Sequence, residues 1–266
     1  MNSLGTMPGR LAWLLPLLLT AAAGCPQLTN QDTPAMELAC VEPQTQAKYY
    51  LYVPSQLDPT RPAPLCVTLH GTHGFDSAKA QAKEWKDLAE RHGFIVLAPD
   101  LVSPQGLLPI GRELRLRDLE RDERNTLAAI REVKRRYNID EQAVLITGFS
   151  AGGYPMYFMG VRNPDVFSVM AGRSANCDVE TLKSLPVSPK LQKMPILIMF
   201  GKTGINPVNS NLNPIVAESW EALRHLRLNG CKQAELEAVE GGHYRRPEQA
   251  FRFWRKHQKQ LQTRPE

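Results

Sequence analysis

Ala143-Val144-Leu145-Ile146-Thr147-Gly148-Phe149-Ser150-Ala151-Gly152 is the stretch that decides how this chain is read. Its first five residues form a short apolar run rich in β-branched side chains, the pattern of a buried strand. Gly148-Phe149-Ser150-Ala151-Gly152 follows at once, and the chain beyond it reads as helix. A Gly-x-Ser-x-Gly turn in isolation is an ordinary turn that carries a hydroxyl. Between a strand and a helix it is a nucleophile elbow: the glycines permit a turn sharp enough to lift Ser150 off the sheet, and the helix aims its N-terminal amides at the same point. Ser150 is therefore the first candidate site residue.

Working outward, apolar runs at 49–53, 65–69, 94–98, 143–147, 167–171, 196–200 and 234–239 alternate with helical patterns. The latter lie at 78–91, 118–137, 154–161, 215–228 and 247–260, with a short helix at 179–185. This alternation predicts an α/β fold, a mostly parallel central sheet with helices on both faces. In such sheets the chemistry gathers beyond the carboxyl ends of the strands, where Ser150 sits.

Arg10 precedes an apolar run that ends in Ala22-Ala23-Gly24-Cys25, so residues 1–24 read as an export signal, and small residues before a cysteine match a lipoprotein processing site. Cys25 is the expected lipidation site and membrane link. A simple secretory signal or an uncleaved anchor is the alternative, although a run this short and interrupted by Pro16 is poor material for a spanning helix. Residues 25–45 are polar and weakly patterned and are expected to be a tether, leaving 46–262 as one domain. Cys40, Cys66, Cys177 and Cys231 would then permit disulfides in an oxidising compartment, although Cys66 lies inside an apolar strand. The formal charge of +5 comes partly from runs such as Arg245-Arg246, read as solvated helix faces. Interleaved aromatics are lacking, so nucleic acid is not an expected partner.

Two loops complete the candidate site. His70-Gly71-Thr72-His73-Gly74 follows a strand early in the chain, where small residues let a carbonyl approach backbone amides. Thr72 and Ala151 are the expected oxyanion donors, each through its N–H. His70 and His73 are otherwise structural or surface histidines, and no metal site is expected from them or from the cysteine spacing. Glu240-Gly241-Gly242-His243 follows the last strand, which makes His243 the expected general base. His92, His225 and His257 fall in helical patterns and are expected to be exposed.

With Leu51-Tyr52-Val53-Pro54, the His70-Gly71 loop, the Gly148–Gly153 elbow and Gly242-His243, the chain resembles the α/β-hydrolase superfamily. Within it, the chain is similar to the esterases related to poly(3-hydroxybutyrate) depolymerase and feruloyl esterase. The resemblance implies the α/β-hydrolase fold and hydrolysis of a small or polymeric carboxylic ester through an acyl-serine, without metal or organic cofactor. It also exposes a departure. Such proteins often place the catalytic acid in Gly-x-x-Asp after the penultimate strand, and here Gly201-Lys202-Thr203-Gly204-Ile205-Asn206 puts Gly204 at that position.

Asp178, after the strand at 167–171, is the expected replacement, with a helix cap as its other reading. Asn206 is a neutral alternative able to hold the imidazole without charge. Asp100 reads as a turn residue, and Glu240 lies too near His243 in sequence. Residues 103–116 form either a partial cover over the pocket or a plain surface loop. The same elbow serves thioesterases, lipases and peptidases, the last usually with an added lid or propeller domain. A binding protein with a broken triad is a further alternative.

Overall fold

Strands buried on both faces read as continuous apolar runs, whereas strands with one wet face alternate. The computed structural model, which describes residues 36–55, 57–104, 112–203 and 214–258, shows the first case in its central strands. The strands are β1 (Met36–Val41), β2 (Lys48–Val53), β3 (Ala63–Leu69), β4 (Ile95–Pro99), β5 (Ile139–Phe149), β6 (Val169–Arg173), β7 (Ile196–Gly201) and β8 (Ala234–Val239). Among the described residues they form one sheet in the order β1-β2-β4-β3-β5-β6-β7-β8, parallel from β4 to β8 and antiparallel at β1 and β2.

The helices are α1 (Ala78–Glu84), α2 (Lys86–His92), α3 (Arg112–Arg136), α4 (Gly153–Arg162), α5 (Val179–Ser184), α6 (Pro214–Leu228) and α7 (Pro247–His257). They cover both faces. Val144, Ile146, Ile196 and Ile198 pack with Ile130, Val133, Met156 and Leu226 on one side. Their strand neighbours Leu145, Leu197 and Met199 pack with Trp85, Leu88, Phe251 and Trp254 on the other. Alternation by single residues thus splits each apolar run between two cores.

Several expectations change. The expected tether at 25–45 is a strand from Met36 onward: Met36↔Val53 through Val41↔Lys48 pair antiparallel, with Cys40 buried and Leu38 packed on the core. The turn that follows is closed by Glu42, whose carboxylate accepts from the amides of Gln44 and Thr45. The single helix expected at 78–91 is two, because the fully buried Trp85 turns the chain between α1 and α2. His92 is buried against Phe251, ring centroids 4.4 Å apart, rather than exposed. Cys66, Cys177 and Cys231 are buried free thiols, so full pairing of the four cysteines does not occur. Of the segment 103–116, residues 112–116 belong to α3, and 105–111 lie outside the described residues.

Candidate active site

β5 runs extended to Phe149, and Ser150 then takes φ +53°, a left-handed conformation that a side-chain-bearing residue adopts only when its surroundings impose it. A short 3₁₀ turn over Ser150–Gly152 leads directly into α4. The flanking glycines are required by space. A Cβ on Gly148 would lie 2.3 Å from Gly152 O, and one on Gly152 would lie 2.5 Å from Leu69 O and 2.6 Å from His70 O. The elbow is also tied sideways, since the Asn176 amide donates to Ser150 O at 2.8 Å.

The loop after β3 lies against Ser150: a Cβ on Gly71 would meet Ser150 Cβ at 3.2 Å. The Gly71 amide is spent on Asp76 Oδ2 at 2.7 Å. The next amide, that of Thr72, donates to no described residue, while the Thr72 carbonyl accepts from Phe75 and Asp76 and so fixes the turn. His70 is buried and acts as a brace. Its Nδ1–H donates to Gly71 O at 2.8 Å and its Nε2 accepts from the Leu101 amide at 3.0 Å, the pattern of a neutral ring, which burial also favours by lowering its pKa. His73 Nε2 bonds Leu101 O at 2.7 Å. His70, His73 and the exposed Asp100 bring ligand-type atoms within 4.8 Å of one another, but both Nε2 atoms are engaged by the backbone of Leu101.

His243 follows β8, in a loop pressed onto the end of β7. A Cβ on Gly201 would fall 2.1 Å from Gly242 O, and the amides of Lys202 and Thr203 donate to Val239 O and Gly241 O. The imidazole packs on Phe149, the residue before Ser150, at 4.8 Å between centroids. Burial lowers its pKa, and among the described residues no carboxylate hydrogen-bonds it to oppose that shift.

Asp178 is engaged by groups other than His243. Its Oδ1 caps α5 through the Thr181 amide at 3.1 Å, and its Oδ2 takes Arg115 Nη1 at 2.9 Å. Burial opposes its charge, but the bonds from Thr181 and Arg115 outweigh burial and hold its pKa below the usual carboxylate range. Glu218 on α6 is likewise engaged, by Asn176 Nδ2 and the Cys177 amide. Gly204 and Asn206 lie outside the described residues. Asp178→Ala is therefore expected to lower stability by about 1–2 kcal/mol through the lost cap and ion pair. Turnover should stay within about threefold of the parent, whereas losing an acid that orients the base costs several orders of magnitude. Denaturant melts beside steady-state kinetics check this, and a loss of orders of magnitude would return the orienting role to Asp178.

Sequence reasoning missed a buried polar network beneath these loops. Arg173, fully buried at the end of β6, donates from Nε to Thr147 Oγ1, from Nη2 to Thr68 Oγ1 and Gln81 Oε1, and from Nη1 to Glu84 Oε1 and Arg245 O. Its ring neighbour is Trp85, 5.4 Å away. Arg245 was expected on a solvated helix face. It precedes α7 instead and pairs with Asp76 and Glu84. The available signal was an arginine closing the apolar run Val169-Met170-Ala171-Gly172, since a charge there must find partners or stay wet.

A doubly covered, mostly parallel sheet with a serine elbow after its central strand is the α/β-hydrolase architecture, and this chain has that fold. A model of the prolyl oligopeptidase family matches residues 88–195, from α2 past the elbow to the start of β7. The chain is 28% identical to acetylxylan esterase A of Aspergillus oryzae over 141 residues, 52% of this chain and 45% of that protein. It is 28% identical to poly(3-hydroxyalkanoate) depolymerase C of Paucimonas lemoignei over 153 residues, 55% of this chain and 36% of that one. These matches span about half or less of the relatives' length. Its fold superposes on a ferulic acid esterase from Anaeromyces mucronatus with a TM-score of 0.60, at 13% identity, covering 91% of this chain and 99% of that one.

Proposed function

We propose that this chain hydrolyses carboxylic esters through an acyl-serine formed on Ser150. The observation that carries the reading is the joint geometry of Ser150 at φ +53°, Gly71 with no room for a side chain beside its Cβ, and the Thr72 amide, which donates to no described residue. Ser150 Oγ attacks the ester carbonyl while His243 takes its proton. The Thr72 and Ala151 amides receive the oxyanion, and His243 returns the proton to the departing alcohol. Water then repeats the sequence on the acyl-enzyme. A low imidazole pKa suits the first role, because His243 stays neutral and able to accept a proton near pH 7.

Thr203 is bonded to Gly241, so the chain leaves β7 beside the His243 loop, and residues 204–213 contain asparagines but no carboxylate. This favours Asn206 as a neutral group that orients the imidazole. The relatives' names point to acylated polysaccharide or polyester as the ester class. A fluorophosphonate probe should label Ser150 and block hydrolysis of short-acyl nitrophenyl esters. A protein that neither labels nor turns over would be a binding protein on a hydrolase scaffold.

Export through residues 1–24 and lipidation at Cys25 belong to the same reading; among the described residues no helix is long and apolar enough to cross a membrane. Cys25→Ser should release the protein from the membrane fraction. Unchanged retention, with no lipid on the parent by mass spectrometry, would leave a plain secretory signal.

A further inference from the structure

Four donors converge on the carboxylate of Asp76, whose side chain is 2% exposed. Oδ2 accepts from the Gly71 amide at 2.7 Å and from Gln81 Nε2 at 2.8 Å; Oδ1 accepts from the Ser77 amide at 2.9 Å and from Arg245 Nη2 at 2.7 Å. Two of these donors lead to the reacting groups from opposite sides. Gly71 lies beside Ser150, where an added Cβ would come within 3.2 Å of Ser150 Cβ, and immediately precedes Thr72. Arg245 lies two residues beyond His243, and its guanidinium covers Phe149 at 5.4 Å, the ring on which the imidazole packs. Behind them Glu84 binds both Arg245 and Arg173, and Arg173, at the end of β6, fastens the assembly to β3 and β5 through Thr68 and Thr147.

We propose that Asp76 is a positioning residue for the reaction, setting as one unit the place of the oxyanion amide of Thr72 and that of the His243 imidazole. The inference rests on the assignment of Ser150 and His243 above. A carboxylate is required because every neighbour donates: an amide at this position would turn its NH₂ against either Gly71 and Gln81 or Ser77 and Arg245. The ion pair joins loops from opposite ends of the chain, so its loss lets the two halves of the site move apart. Displacements of about 1 Å are enough to cost on the order of a hundredfold in rate.

The test measures kcat and KM for a short-acyl nitrophenyl ester, the rate of fluorophosphonate labelling, and Tm. It compares Asp76→Asn, Arg245→Gln and the double variant, with Ser150→Ala as the control for the site itself. Asp76→Asn should lower kcat and labelling by about a hundredfold with KM within about threefold. Arg245→Gln should lower both by roughly tenfold, and the double variant should be no worse than Asp76→Asn, since both act through one ion pair. Arg245→Lys, which keeps a charged donor for Asp76, should recover most of the loss. Rates within about threefold of the parent in Asp76→Asn and Arg245→Gln, whatever their Tm, would make the network merely structural and overturn the proposal. If Asp76→Asn does not fold, Arg245→Gln decides alone, because it leaves the Gly71 and Gln81 bonds in place. An active Ser150→Ala would instead remove the site assignment on which the proposal stands.

Discussion

Ser150→Ala is expected to lower hydrolysis of short-acyl nitrophenyl esters by roughly six orders of magnitude while leaving the fold intact. The fold should survive because alanine keeps the Cβ that already occupies the left-handed position, so no strain is added at φ +53°. Only the hydroxyl is lost, and with it the bond the reaction must form. His243→Ala should cost a similar amount, since an unassisted serine hydroxyl is a weak nucleophile at neutral pH. Nucleophile and base act as a unit, so the double variant should be scarcely slower than either single one. Residual rates with each variant, together with circular dichroism to confirm folding, check this. Near-parent turnover in Ser150→Ala would move the chemistry away from the elbow altogether.

Gly152→Ala is the second large effect expected, and it acts on stability and rate together. The added methyl would fall 2.5 Å from Leu69 O and 2.6 Å from His70 O, both backbone atoms that no side-chain rotation can move. Relief therefore requires the elbow and the loop after β3 to separate. Overpacking of this kind costs about 1–3 kcal/mol, or more where the backbone itself must shift. The separation also carries the Thr72 amide away from Ser150, so turnover should fall by about a hundredfold or more. Gly74→Ala is the contrast: an added methyl there meets nothing within 4 Å, and only φ +87° is penalised. That change should cost about 1–2 kcal/mol. Chemical denaturation and kinetics on both variants separate the two cases, and equal effects would show that crowding at the elbow is not what Gly152 prevents.

The sequence by itself determined the fold class, the elbow at Ser150 and the place of His243, because each is written in local order. The apolar period, the Gly-x-Ser-x-Gly turn and the loop after the last strand are read from neighbours in the chain. β1 was legible in principle, since Leu38 and Cys40 alternate inward. Its polar surroundings resembled a tether, and only pairing with β2 makes it a strand.

What only the tertiary structure decided concerns partners far apart in sequence. Asp178 reads first as a triad acid and almost as readily as a cap, and its bonds to Arg115 and the Thr181 amide come only with the fold. Arg245 reads as one more surface cation until Asp76, 169 residues away, closes on it. A buried charge is stable only where the fold assembles enough donors or acceptors around it. Those partners come from β3, α1, β5, β6 and the loop after β8, so their identity is set by packing and not by spacing along the chain.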